Sequence, residues 1–317
     1  MVVQIAFLPL GADSNSAVYR AVTADHTLYF VKLRRGIFDQ TSVELPRFLS
    51  DQGIAQIIPP LATKTGQLWA MLDAFTVIVH PFIEGRNGFE VALTDRQWHD
   101  FGVALKRLHT AAVPPEITRR IQREQFAPRY RESVKLFLSG LDGNPLDDAV
   151  ARQLTAFLKT KRDAVRDLVE RAERLALALQ ANTPEFVVCH FDIHAGNLLI
   201  EDDHKFYIVD WDDPLLAPKE RDLMFIGGAQ GFVGYTAQEE EALFYRGYGD
   251  TQIDPVALAY YRYERIIVDI AIYCEELLLT TEGGDDRERS LGYLMSNFLP
   301  NSTIEVAYNS DRTPSGA

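Results

Sequence analysis

Apolar and polar residues alternate along the first eighty positions of the chain. "VQIAFL" has a period of two; after the loop "PLGADSNS" come "AVYRAV" and "TLYFVKL". Successive side chains of a strand point to opposite faces, so this spacing predicts three strands. Ala24, Asp25 and His26 supply the turn between the second and third. A helix is predicted over Thr41–Asp51, irregular because Pro46 offers no amide hydrogen. "LWAML" and "FTVIVH" complete a small, mostly antiparallel sheet, and Pro81, Glu84 and Gly85 then punctuate the chain.

From Thr94 the period becomes helical. Thr94-Asp95-Arg96-Gln97 has the form of a capping box, and Trp98, Phe101, Leu105 and Leu108 follow as one apolar stripe. Asn144-Pro145 opens a further helical region. Carried unbroken to Ala181 it would run about 55 Å, so a break is expected. "FVVC" and "KFYIVD" place two strands, read as a hairpin, among the helices. Asp254-Pro255 opens a helix that continues to about Leu279, and the polar tail "NSDRTPSGA" is expected to fray. The pattern predicts an α+β, bilobal chain. A β-rich lobe covers residues 1–80, a hinge lies at about 79–85, and a larger helical lobe covers 86–317. A cleft between the lobes is the expected ligand site.

Composition narrows the classes of function. The 317 residues are 47% apolar, enough for full cores, which excludes global disorder. A net charge of −13 argues against nucleic-acid binding and suits a small cationic partner. No stretch approaches the roughly 20 apolar residues of a membrane span. The opening "MVVQIAFLPLGADS" has no basic segment or long apolar run, so it is not read as a signal peptide. Cys189 and Cys274 have no paired spacing, which reads as reduced thiols in a cytoplasmic protein. A monomer or weak dimer is expected.

The candidate chemistry lies in "EFVVCHFDIHAGNLLIEDDHKFYIVDWDD", residues 185–213. Three readings compete for it. His190 and Asn197 can be core and turn residues satisfied by backbone. His190, Asp192 and His194 can be metal ligands on one side of a strand, although His80, His99, His109 and His204 have no spacing that closes such a set. The third reading is phosphoryl transfer. Asp192 lies five residues before Asn197, and Asp210 ends the next strand. One carboxylate can accept a hydroxyl proton, while an amide oxygen and a second carboxylate hold magnesium on nucleotide phosphates.

Lys32, on one strand face with Leu28 and Phe30, either meets an anion or reaches to water. The small residues Gly11, Ser14 and Asn15 sit in a loop whose amides can approach phosphates. The order loop, lysine, hinge, helix, catalytic loop and metal carboxylate favours the third reading.

"HFDIHAGN" and "IVDWDD" resemble the catalytic loop and metal segment of aminoglycoside phosphotransferases, relatives of protein kinases in fold. "GADSN", "YFVKL", "HPFIEGRNGF", "DIHAGNLLI", "DWDDPLLAPKERDLMFIGG" and "YYRYERIIVDIAIY" extend the resemblance, over nearly the whole chain, to the spectinomycin phosphotransferase subgroup. The resemblance implies ATP or GTP and Mg2+ as cofactors. It makes Asp192 the base that orients the acceptor hydroxyl, Asn197 and Asp210 the metal ligands, and Lys32 the holder of the α and β phosphates. Val79, His80 and Phe82 would form the hinge that binds adenine, His190 would brace the loop, and Asp222 would bond back to it.

The family also pairs the strand lysine with a helix glutamate. Glu44 is the nearby glutamate, with Asp39 as the substitute. Many members have glycine where this chain has Phe191, and tolerance is expected there. Relatives carry a helix before the first strand, so an upstream start is an open expectation. The secondary amines of spectinomycin call for carboxylates, and Asp212, Asp213, Asp269 and Glu276 are the candidates. Asp269 and Glu276 share a helix face, although Arg265 four residues before Asp269 also suits a plain surface pair. Choline, sugar and fructosamine kinases share the catalytic loop, so a metabolite kinase is the alternative. A metal-dependent hydrolase and a non-catalytic nucleotide-binding module are more remote.

Overall fold

The structure, a computed structural model, describes residues 1–9, 15–143, 148–284 and 286–312. Two compact units divide the chain. The first takes Met1–Arg123, Val187–Leu216 and Gly231–Thr251; the second takes Glu124–Phe186, Ala217–Gln230 and Gln252–Ala317.

The first unit begins with β1 (Val2–Leu8), β2 (Ser16–Thr23) and β3 (Leu28–Arg35), then helix α1 (Thr41–Asp51), β4 (Ala70–Leu72) and β5 (Phe75–Pro81). Their order in the sheet is β1-β2-β3-β5-β4, antiparallel throughout. β3 is central, and its Lys32 lies opposite Val18 on one side and Ile78 on the other. β1 is an edge strand with Val3, Ile5 and Phe7 exposed, so its alternation does not become a buried face.

α1 is continuous through Pro46, against the expectation of an irregular helix. Pro46, sixth in the helix and past its first turn, removes one amide donor, and it is buried with Val43, Leu45 and Leu49. The Arg107 guanidinium donates to the carbonyls of Gln52 and Gly53, both at 2.7 Å, and caps the far end of α1.

β6 (Arg86–Asn87), α2 (Asp95–His109), α3 (Pro115–Thr118) and β7 (Gln122–Arg123) follow. The capping box forms: the Gln97 amide donates to Thr94 Oγ1 at 3.3 Å, and Gln97 Oε1 accepts the Thr94 amide at 2.9 Å. Trp98, Phe101, Leu105 and Leu108 are all buried.

Helices α4 (Arg129–Gly140) and α5 (Ala149–Ala181) belong to the second unit. α5 runs for 33 residues without the expected break. It contains no proline or glycine, Asp148 caps its first turn, and Leu154, Leu158, Val165, Leu168 and Leu175 keep one side buried throughout. The expected start at Asn144-Pro145 lies outside the described residues.

The chain then returns to the first unit with β8 (Val187–Cys189), a 3-10 turn (Ala195–Asn197), β9 (Leu198–Ile200), β10 (Phe206–Ile208) and β11 (Leu215–Ala217), whose last residue, Ala217, belongs to the second unit. The two-strand hairpin expected here needs correction. The partner of β10 is β9, the overlooked "LLI", whereas β8 shares a sheet in the order β7-β11-β8. The short turn before Lys205, whose amide and that of His204 donate to Asp202 Oδ1, makes the nearer pairing the easier one to close.

Of the remaining helices, α6 (Glu220–Leu223), α8 (Pro255–Leu279), α9 (Asp286–Ser296) and α10 (Thr303–Arg312) lie in the second unit, where α5 and α10 pack along α8. α7 (Ala237–Tyr248) packs on α2 in the first. The tail is ordered further than expected. Asn309–Arg312 complete α10, and Asp311 accepts Arg171 Nη1 at 2.7 Å. Cys189 and Cys274 are buried free thiols. Among the described residues no helix is long and apolar enough to cross a membrane.

Candidate active site

The β9–β10 register builds one end of the site. Leu198 pairs with Ile208, so the residues just outside the ladder, Asn197 and Val209, arrive side by side. The Val209 amide donates to the Asn197 carbonyl at 3.0 Å. Asn197 Nδ2 donates to the Asp192 carbonyl at 2.7 Å, which leaves the amide oxygen as the group's acceptor.

His190 joins the same web. It is buried, its Nδ1 accepts the Asp192 amide at 3.3 Å, and its Nε2 donates to the Val209 carbonyl at 2.9 Å. The buried Trp211 packs edge-on against the His190 ring and bonds the Ile208 carbonyl. Two backbone positions are strained. Phe191 has φ 85° and Asp210 φ 64°, both in the left-handed region. A glycine at the Phe191 position would adopt that φ without cost.

Lys32 faces this end of the hairpin. Its Nζ lies 2.5 Å from Asp212 Oδ2 and 3.7 Å from Asp210 Oδ1. Arg34, two residues on and on the same strand face, reaches Asp212 at 3.3 Å. Neither expected partner holds Lys32. Glu44 forms a close ion pair with Arg120, which also bonds Gln40, and Asp39 Oδ1 accepts the Thr41 amide at the start of α1. Asp210 is half-exposed and Asp212 largely buried. Burial first, then the neighbouring Asp212, raises the carboxyl pKa of Asp213.

The hinge segment forms the end of β5. The Val79 carbonyl accepts the Leu61 amide at 2.7 Å, and the Phe82 amide donates to the Leu28 carbonyl at 3.3 Å. An adenine there must use the remaining polar groups of the segment or compete for these. His80 bonds the Ile58 carbonyl at 3.2 Å, and burial lowers its pKa to about 4, so it is neutral near pH 7. Gly11 and Ser14 of the expected phosphate loop lie outside the described residues; the Asn15 carbonyl accepts the Arg35 amide.

The other expected residues lie in the second unit. Asp222 is fully buried in α6. On α8, Asp269 pairs with Arg265 at 3.3 Å, the surface-pair alternative, and Glu276 accepts the Ser290 hydroxyl at 2.8 Å. Sequence reasoning missed the part of Arg34 and the pairing of Lys32 with Asp212. The basic residue two places beyond Lys32 was the available signal for Arg34.

Within the first unit, then, a lysine, two carboxylates and an amide oxygen gather beside a braced loop that carries a third carboxylate. A family model described as "Phosphotransferase enzyme family" matches residues 7–261. The chain belongs to this phosphotransferase family. It is a phosphotransferase with an alcohol group as acceptor, and its α+β fold is protein-kinase-like.

The chain is 37% identical to spectinomycin phosphotransferase APH(9)-Ia, solved as a crystal structure with ADP and spectinomycin. The match has a TM-score of 0.92 and covers 98% of this chain and 94% of that one. An AMP-bound structure of the same enzyme matches at 38% identity and TM-score 0.85, over 93% and 92% of the two chains. Choline kinase LicA from Streptococcus pneumoniae shares the fold at 16% identity and TM-score 0.58, over 97% and 94%. No curated protein sequence matches.

The donor set fits magnesium. Asp210 and Asn197 offer hard oxygens, one charged and one neutral, and Asn197 Nδ2 is already committed to backbone.

Proposed function

We propose that the chain transfers the γ-phosphoryl group of ATP, or GTP, to a hydroxyl of spectinomycin or a closely similar aminocyclitol, and so inactivates an antibiotic. The observation that carries the choice of acceptor is the near-full-length, 37% identity to a kinase solved with ADP and spectinomycin. The chemistry rests on Lys32, Asp192, Asn197 and Asp210 lying in one unit.

In this reading Lys32 binds the α and β phosphates, which take over from Asp212 as its anionic partner. Asn197 and Asp210 would hold magnesium, which when bound supplies positive charge to the phosphate oxygens. Asp192 accepts a hydrogen bond from the acceptor hydroxyl and lines its oxygen up with the γ phosphorus. As the new O–P bond forms, the bond from phosphorus to the β–γ bridging oxygen breaks, ADP leaves, and the hydroxyl proton passes to the Asp192 carboxylate. Most of the rate comes from positioning and charge neutralisation. The −13 net charge supports a cationic acceptor and no nucleic-acid partner. We extend this to a cytoplasmic enzyme acting as a monomer or weak dimer.

An ADP-release assay with magnesium tests the reading. Spectinomycin is expected to stimulate release well above choline, fructosamines and simple sugars. Stimulation by choline or a sugar and none by spectinomycin would replace the proposed acceptor with a metabolite.

A further inference from the structure

The catalytic loop holds a second imidazole, His194, whose two nitrogens have separate tasks. Nδ1 accepts the Gly196 amide at 3.0 Å and so caps the 3-10 turn. An accepting Nδ1 carries a lone pair, which puts the proton of the neutral ring on Nε2. Nε2 lies 3.5 Å from Asp192 Oδ2.

The ring does not stand alone. The half-exposed Phe89 stacks on it with centroids 5.5 Å apart and planes 21° apart. Phe89 is itself anchored: its amide donates to Asn87 Oδ1 at 3.0 Å, and the Gly88 amide donates to the Ala195 carbonyl at 2.9 Å. A methyl group at Gly196 would meet the Phe89 ring at 2.5 Å and one at Gly231 would meet it at 2.1 Å, so both glycines leave room that the ring fills.

We propose that His194 is a positioning residue for Asp192 and that Phe89 keeps its imidazole aimed. The inference rests on reading Asp192 as the base. The Nε2–H draws Oδ2 toward itself and so fixes the orientation of the carboxylate that meets the acceptor hydroxyl. At 3.5 Å the contact is longer than an ordinary hydrogen bond, and contacts of this kind tighten in the substrate complex. His194 touches neither substrate nor phosphate in this role; it acts through the carboxylate.

Two substitutions separate capping from positioning. His194→Asn keeps an acceptor for the Gly196 amide but cannot reach Asp192. His194→Gln loses the cap but places an N–H close to the Nε2 position. With ATP, magnesium and spectinomycin, His194→Asn is expected to lose about tenfold or more in kcat with little change in the nucleotide KM. His194→Gln should retain more kcat than His194→Asn, and Phe89→Leu should fall between wild type and His194→Asn. Wild-type kcat in His194→Asn, or a His194→Gln no better than His194→Asn, overturns the proposal.

NMR of isotope-labelled histidine gives a readout that needs no acceptor. His194 is expected as the Nε2–H tautomer, with an Nε2 signal that moves in Asp192→Asn; an Nδ1–H tautomer overturns the proposal. An inactive Asp192→Asn beside a fully active His194→Asn refutes the positioning role alone. An active Asp192→Asn refutes the base assignment beneath it.

Discussion

Lys32 is held by a residue 180 positions away in sequence. The Asp212 carboxylate takes both Lys32 and Arg34, and all three side chains are largely buried. Losing that one carboxylate would take the 3.3 Å anion from Arg34 and leave Lys32 to Asp210 at 3.7 Å, which is expensive for cations that are largely buried. Asp212→Asn should therefore destabilise the protein by about 1–3 kcal/mol. Added ATP should restore part of the loss, because its phosphates supply the missing negative charge. Thermal melts with and without ATP check this: the nucleotide should raise the melting temperature of the variant more than that of wild type. Equal shifts would show that Asp212 does not compensate Lys32 and Arg34. Sequence could say that Lys32 wants an anion, but not which one. Glu44 was the candidate by proximity, and in space Arg120 claims it. The tolerance expected at Phe191 has a local meaning too, since at φ 85° the backbone there is in the region glycine favours.

Elements were legible where their signals are local. The start of α8 and the Thr94 capping box follow from cap chemistry, and the bounds of α1 are as expected although Gln40 gives that helix no side-chain cap. The errors came where the deciding contact is distant. α5 continues because one side stays buried for its whole length, which no single window of sequence reveals. The "LLI" of β9 is too short to show a period, so its pairing with β10 is not legible in sequence, and β8 finds its place with β11. The capping box also joins α2 to that hairpin: Gln97 Nε2 donates to the Asp202 carbonyl at 2.8 Å, and Thr94 Oγ1 lies 3.3 Å from the Asp203 carbonyl. Thr94→Ala should cost about 1 kcal/mol, read as a lower denaturant midpoint at unchanged slope. An unchanged midpoint would show that the box adds nothing to stability.

At the scale of the whole molecule, the order of motifs along the chain carried the family assignment, and the family model agrees over residues 7–261. Hairpin register and the central place of β3 then explain how Lys32 and Asp210, far apart in the chain, come within 3.7 Å. The carboxylates suggested for an acceptor were the least legible part. Choosing among acidic residues requires knowing their neighbours, and Asp212, Asp269 and Glu276 all have partners already. The central claim is that Asp192 acts on the acceptor while other residues hold the nucleotide, and Asp192→Ala measured for both turnover and ATP affinity tests it most directly. The variant should bind ATP with magnesium about as tightly as wild type and release almost no ADP with spectinomycin present. Near-normal turnover in that variant would contradict the account.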